Sequence, residues 1–195
     1  IIAILLFGLI AIFKASLIPL GIFSLIIWTV APYVAYSISK EPKKIEVKFN
    51  EEEILELGRM SRRTWRYFEE FANSKNHYLA PDNYQVYPAR GLAYRTSPTN
   101  IGLGLLATLS ASDFGYIGTK EMLEQLEKTI TTIENMEKWN GHLFNWYNTN
   151  TLKTLEPAYV STVDSGNFAG YLITLVQGLK GYLYKPFIDE QYFKG

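Results

Sequence analysis

The pattern of this chain predicts an all-α fold: a partial α/α toroid preceded by one or two transmembrane helices. Three observations lead there. Amphipathic helical segments alternate twice with segments that are apolar on nearly every side, as two concentric rings of antiparallel helices require, the outer ring wetting one face and the inner ring none. The first 38 residues carry one charge, Lys14. Both all-apolar segments of the later chain open on polar clusters, Arg95-Thr96-Ser97-Pro98-Thr99-Asn100 and Val163-Asp164-Ser165-Gly166-Asn167. An irregular helical bundle would also accommodate such helices.

In chain order, Ile1 to Phe13 is an uncharged apolar run, followed by Lys14 and Pro19, and Leu17 to Ile38 is a second one. The second has about the length needed to cross a bilayer core of roughly 30 Å. The first, starting without Met or a charged leader, reads as the tail of a truncated transmembrane helix and not as a signal peptide. Lys14 then sits in the turn between two spans and Pro32 kinks the second; a buried core hairpin is the alternative. Lys40, Lys43 and Lys44 follow the span, then Arg59, Arg62 and Arg63, and basic flanks favour the cytoplasmic side. The expected location is a membrane, with the later part in the cytoplasm and the lipid bilayer as a partner. Residues 39–50, with Pro42, form a charged linker, and 51–195 the N-terminal, incomplete part of the toroid.

From Glu51 the spacing predicts a helix to about Asn73, with Ile54, Leu55, Trp65, Phe68, Phe71 and Ala72 on one face. Asn76 to Arg95 is irregular, punctuated by Pro81, Pro88 and Gly91. Ser97 then Pro98 is a cap followed by a first-turn proline, and Ile101 to Ala111 must be buried all round. Asp113 to Gly118 turns the chain, and Thr119 caps the clearest amphipathic helix, with Met122, Leu126, Ile130, Ile133 and Met136 inward and Glu124, Glu127, Lys128, Glu134 and Lys138 in solvent. Asn140 to Thr162 suits a hairpin or ordered loop. Asp164 to Lys180 is again apolar on nearly all faces. Four helices do not close a ring, so a larger domain is expected, joined to the remaining domains of the same polypeptide.

Composition narrows the chemistry. Lys and Arg number 19 and so do Asp and Glu, so no global field favours nucleic acid. Without Cys there is no disulfide, thiolate zinc site or cysteine nucleophile. His77 and His142 are the only imidazoles and stand far apart, so a His-based metal centre is not expected, and no cofactor is.

In parallel inner helices the two polar openings fall at one end of the toroid. That end collects Arg95, Thr96, Ser97, Asn100, Asp164 and Asn167, with Asp82-Asn83 and Asn145-Trp146-Tyr147 arriving on the preceding loops. Asp164 or Ser165 could equally serve only as a helix cap. Amides, hydroxyls, one Arg and few carboxylates suit a neutral polyhydroxylated ligand, and Trp and Tyr offer flat apolar faces to a pyranose ring.

The stretches Asp82-Asn83-Tyr84-Gln85, Arg95 to Gly102, Gly141-His142-Leu143-Phe144-Asn145-Trp146-Tyr147 and Tyr159 to Asn167 resemble the glycoamylase-like middle region of bacterial cyclic β-1,2-glucan synthases, over about Leu57 to Leu179. Asn148 stands where that family often has Asp. The resemblance implies a six-hairpin α/α toroid. It also implies the ring-closing region of an enzyme bound to the bacterial inner membrane, whose other parts extend the glucan from UDP-glucose and trim it. Ring closure would be a retaining transglycosylation on β-1,2-glucan, with Asp82, Asn83, Arg95, Thr96, Ser97, Asn100, Asn145, Trp146, Tyr147, Asp164 and Asn167 binding substrate. Such chemistry needs two carboxyl groups about 5 Å apart. Asp82, Glu156, Asp164 and Asp113 offer no convincing pair, so the catalytic carboxylates are expected beyond Gly195. A non-catalytic, membrane-tethered glucan-binding segment and a different hydrolase or lyase on the same toroid remain alternatives.

Overall fold

The computed structural model describes residues 2–41 and 48–184, which separate into two units divided between Phe49 and Asn50. The linker residues Pro42, Lys43 and Lys44, and the tail after Tyr184, lie outside the described residues.

In the first unit, helix α1 (Ile2–Phe13) and helix α2 (Ile18–Ile38) are joined by Lys14 and a short 3-10 turn, Ala15–Leu17. They meet where Gly21 faces the ring of Phe7; a Cβ there would stand 3.0 Å from Phe7 Cδ2. α2 continues unbroken through Pro32, and its 21 residues are long and apolar enough to cross a membrane.

The second unit is a partial α/α toroid of four helices: α3 (Glu51–Phe71), α4 (Pro98–Asp113), α5 (Thr119–Asn135) and α6 (Thr162–Tyr182). α3 opens on a capping box in which Asn50 Oδ1 accepts from the Glu53 amide and Glu53 Oε2 accepts from the Asn50 amide. It runs antiparallel to α4, since its C-terminal Phe68 lies near Gly104 whereas its Gly58 carbonyl accepts from Tyr116 after the end of α4. The chain reverses through 114–118 into α5. Here the start differs from expectation: Gly118 is the N-cap and Thr119 the first helical residue, with no side-chain capping bond. Lys138, expected in solvent, folds back so that its ammonium donates to the carbonyls of Ile133, Glu134 and Met136. Those carbonyls lie at and just past the helix C-terminus, where a cation is favoured.

Among the described residues, seven short strands fill the connections. β1 (Tyr84–Gln85) and β2 (Gly91–Leu92) form a hairpin before α4, and β4 (Lys138–Trp139) and β5 (His142–Leu143) another after α5. Between them, β3 (Arg95–Thr96), β6 (Asn145–Asn148) and β7 (Thr154–Tyr159) form one antiparallel sheet, pairing Arg95 with Asn148 and Thr96 with Tyr147.

The core gathers Trp65, Leu79, Ile101, Leu105, Leu109, Met122, Leu126, Ile133, Met136, Leu143, Tyr147 and Leu175. Its limits correct several expectations. Ile54 and Leu55 share the apolar face of α3 but are 58% and 60% exposed, because the core lies only under the C-terminal half of that helix. Ile130 on α5 is also partly exposed. α4 is buried at Ile101, Gly102, Leu105, Leu109 and Ala111, yet Leu103 is exposed; α6 buries only Leu175 fully, with Ile173 65% and Val176 50% exposed. The reason is geometric. A helix is covered all round only if neighbours stand on both sides, and the main described neighbour of α6 is α4.

α4 and α6 lie parallel. Thr99 bonds Asn167, Gly102 meets Tyr171, Gly178 meets Leu109, and Asp113 bonds Tyr182, so the two residue numbers rise together at an offset of 68 to 69. Glycines permit the close approach: a Cβ on Gly102 would fall 2.2 Å from Tyr171 Cδ2, and one on Gly178 2.4 Å from Leu109 Cδ2.

A three-member alanine series tests this contact by chemical denaturation. Gly102→Ala is expected to destabilise by about 1–3 kcal/mol, because a ring carbon near its own Cβ cannot step aside. Gly178→Ala should be nearly neutral, since the far end of Leu109 can rotate and helix propensity returns up to about 1 kcal/mol. Gly170→Ala, which meets nothing within 4 Å, should stabilise by up to about 1 kcal/mol.

Candidate functional site

Because α4 and α6 run parallel in contact, their N-termini open side by side. Ser97 caps α4, its Oγ accepting from the Asn100 amide at 3.3 Å, and Pro98 occupies the first turn, where its missing N–H costs nothing. Ser161 caps α6, accepting from the Asp164 amide at 3.1 Å. Neither Asp164 nor Ser165 is the cap; Asp164 stands in the first turn, where the helix dipole favours a negative charge.

The Asp164 carboxylate is the hub of this floor. Burial would raise its pKa, but hydrogen bonds from Ser161, Thr99, Asn145 and Ser97 outweigh burial and hold it below the ordinary 3.8. Asn167 of α6 donates to Thr99 Oγ1 at 3.3 Å, a second tie between the two helix starts. Asn145 reaches the floor from β6 and is 2% exposed; with its amide turned to Asp164, its Oδ1 is a buried acceptor without a partner among the described residues. Buried polar atoms of that kind are few in folded proteins and mark places where a further donor fits.

A wall rises beside the floor. Asp82 Oδ2 accepts from Arg95 Nε at 3.0 Å and Nη2 at 2.8 Å, and from Asn83 Nδ2 at 2.9 Å, while its Oδ1 accepts from Asn100 Nδ2 at 3.2 Å. The Arg95 guanidinium also lies over the indole of Trp146, 4.8 Å from the ring centroid. Asp82 is mostly covered and the Arg95 side chain is 49% exposed, so the wall presents the guanidinium outward with its charge already met. Behind it, Tyr67 donates to the Pro81 carbonyl, and burial, reinforced by the nearby Asp82 charge, pushes its phenol up to about 12.

The structure therefore brings Asp82, Asn83, Arg95, Asn100, Asn145, Trp146, Asp164 and Asn167 to one end. Three of the sequence-selected residues are scaffold instead. Tyr147 is fully buried, its hydroxyl accepting from the Phe144 amide and donating to the Glu137 carbonyl, and burial raises its pKa although the Phe144 bond opposes this. Thr96 is fully buried and donates to Ala80, and Ser97, 1% exposed, is spent on its cap and on Asp164. In strands, alternate residues point to opposite faces, which is why Trp146 faces the wall and its neighbour Tyr147 the core. Two residues were missed. Thr99, next to the selected Asn100, links both helices. His142 sits on the β4–β5 hairpin with its Nδ1 3.3 Å from Ser165 Oγ, at the rim of the floor. His77 is structural, its Nδ1 2.8 Å from the Thr149 carbonyl.

The family model described as a protein of unknown function (DUF3131) matches residues 59–171. The chain belongs to this family. All the floor and wall residues lie inside the DUF3131 stretch. Over 151 residues, 77% of this chain, the sequence is 50% identical to the cyclic beta-(1,2)-glucan synthase NdvB of Rhizobium meliloti (strain 1021). The chain spans 5% of that relative's length. Among solved structures it is similar to a glucoamylase candidate from Bacteroides fragilis NCTC 9343 (TM-score 0.57, 22% identity, 79% of this chain and 36% of that one). It is also similar to a beta-1,2-glucanase from Parabacteroides distasonis (0.53, 19%, 75% and 20%). An endo-beta-1,2-glucanase from Chitinophaga pinensis, solved with sophorotriose and glucose, gives 0.54 at 20% identity over 71% of this chain and 33% of that one. These likenesses show the glucoamylase-like toroid fold for the DUF3131 stretch.

Removing the hub should be felt at once. Asp164→Ala leaves four donors without their acceptor and is expected to cost about 1–3 kcal/mol. Because the folded carboxyl titrates below 3.8, its contribution is complete above that value and is lost as the pH falls through the lower folded value. Urea midpoints measured from neutral pH down to acid should show this acid-side loss in the parent protein and a flatter profile in Asp164→Ala.

Proposed function

We propose that the end of the toroid formed by the α4 and α6 N-termini binds β-1,2-glucan. In its full setting this region supports ring closure of that glucan by retaining transglycosylation. The observation that carries the reading is the joined entry of the two helices. It gathers hydroxyls and carboxamides around Asp164, next to an indole and a neutralised guanidinium, and so offers hydrogen bonds and a stacking face with little net charge. The 50% identity to a cyclic beta-(1,2)-glucan synthase supports the choice of glucan.

The floor carboxylates support a binding role more than a chemical one. A retaining mechanism needs an acid and a nucleophile about 5 Å apart, and the acid must hold a proton. Asp164 has its pKa depressed and is shared among four donors, and Asp82 is engaged by Arg95, Asn100 and Asn83. This favours, as a second reading, a segment that binds glucan without turning it over. α2 serves as the tether to the bacterial inner membrane, with the toroid on the cytoplasmic side.

Titration calorimetry of the protein with linear β-1,2-glucan, followed by mass analysis of the products, tests these readings. Binding is expected, and both Arg95→Ala and Asp164→Asn should weaken it at least tenfold with the circular dichroism spectrum unchanged. Rings lacking a reducing end would favour cyclisation, shorter linear chains a hydrolase, and unchanged glucan the binding segment. Absence of binding, or variants that bind as well as the parent, would remove the assignment.

A further inference from the structure

Beside the wall, the β1–β2 hairpin borders an open groove of about 430 Å³ lined by Asn83, Gln85, Arg90, Tyr94 and Arg95 together with residues 91–93. That volume falls in the range of small-molecule clefts. The hairpin shapes it. Gln85 pairs with Gly91, whose φ of +73° suits glycine, and the Arg90 amide donates to the Gln85 carbonyl at 3.1 Å, closing the turn. The Ala93 amide donates to the Asn83 carbonyl at 2.9 Å and fixes the groove's inner edge.

The chemistry of the lining is distinct from that of the floor. Asn83 and Gln85 each carry a carboxamide with donors and acceptor, matching the alternating needs of vicinal hydroxyls. Arg90 carries five N–H donors and has no acidic partner among the described residues, and no carboxylate lines the groove. Tyr94, 51% exposed, presents its ring at the surface. Asn83 and Arg95 belong both to this groove and to the wall, so the two adjoin.

We propose that this groove is an outer glucan subsite, with Arg90 as its hydrogen-bonding arm and Tyr94 as its stacking face, taking the glucosyl units that extend past the floor. The inference rests on the floor being a glucan site. A chain long enough to fill both regions then binds more tightly than a short one, and the surplus depends on the hairpin.

The test is titration calorimetry of the protein in detergent with a β-1,2-linked trisaccharide and with a much longer linear oligomer, using the parent, Gln85→Ala, Arg90→Ala and Arg90→Lys. Arg90→Ala is expected to weaken the long oligomer about tenfold, equivalent to about 1.4 kcal/mol, and to leave the trisaccharide unchanged. Gln85→Ala should act in the same direction. Arg90→Lys, which keeps the charge but loses the fork, should fall between parent and alanine, and keeps the question open to measurement if an alanine variant misfolds. Equal losses for both ligands, or no loss for either, would overturn the subsite while leaving the floor reading intact. If the parent binds neither ligand, the floor reading itself has failed and the subsite falls with it. Titration with inorganic phosphate is the remaining arm: Arg90-dependent phosphate binding with Arg90-independent glucan binding would make this an anion site and overturn the proposal.

Discussion

The Asp164 carboxylate is the constraint on which the rest of the arrangement hangs. It is tied at once to the cap of its own helix through Ser161, to the start of the neighbouring helix through Ser97 and Thr99, and to the sheet through Asn145. Residues from three separate parts of the chain thus converge on one carboxylate. Close packing at Gly102 then forces the helices to remain in register along their length. A carboxylate in this position is stable because it faces hydroxyl and amide donors and lies in a helix first turn, where partial positive charge accumulates.

The β3–β6–β7 sheet completes what the helices begin. Strand pairing sets Thr96 against Tyr147 and turns both into the core, so their neighbours Arg95 and Trp146 lie together on the opposite face. Tyr147, with its hydroxyl bonded to Phe144 and Glu137, anchors the strand. The wall is therefore a by-product of strand alternation on a buried anchor, in the same way that the floor is a by-product of parallel helix packing. Site and scaffold are made by adjacent residues on the same elements.

Much of this was legible in the amino-acid sequence, and the parts that were not share a physical cause. The Ser97-Pro98 entry and the Met122-Leu126-Ile133-Met136 stripe depend on local preference and helical period, which sequence carries directly. Whether Ile54, Ile173 or Val176 is covered depends on which neighbour stands opposite, and periodicity names an apolar face without saying what lies against it. The distinction between Trp146 and Tyr147 needed the register of strands some fifty positions apart, and two-residue strands such as Arg95–Thr96 have no period to read. That the cap is Ser161 and not Asp164 or Ser165 turns on local geometry, because several residues of that stretch satisfy the same capping preference.

Arg95 has a consequence for recognition that its contacts alone do not express. A free arginine side chain carries about 2 kcal/mol of rotamer entropy, and here Asp82 on one side and Trp146 on the other have already restricted it during folding. A ligand arriving at this guanidinium meets a preorganised donor and loses little further freedom by engaging it. If the proposed glucan site is occupied, selectivity at the wall would come from the fixed direction of its N–H groups more than from the strength of any one bond.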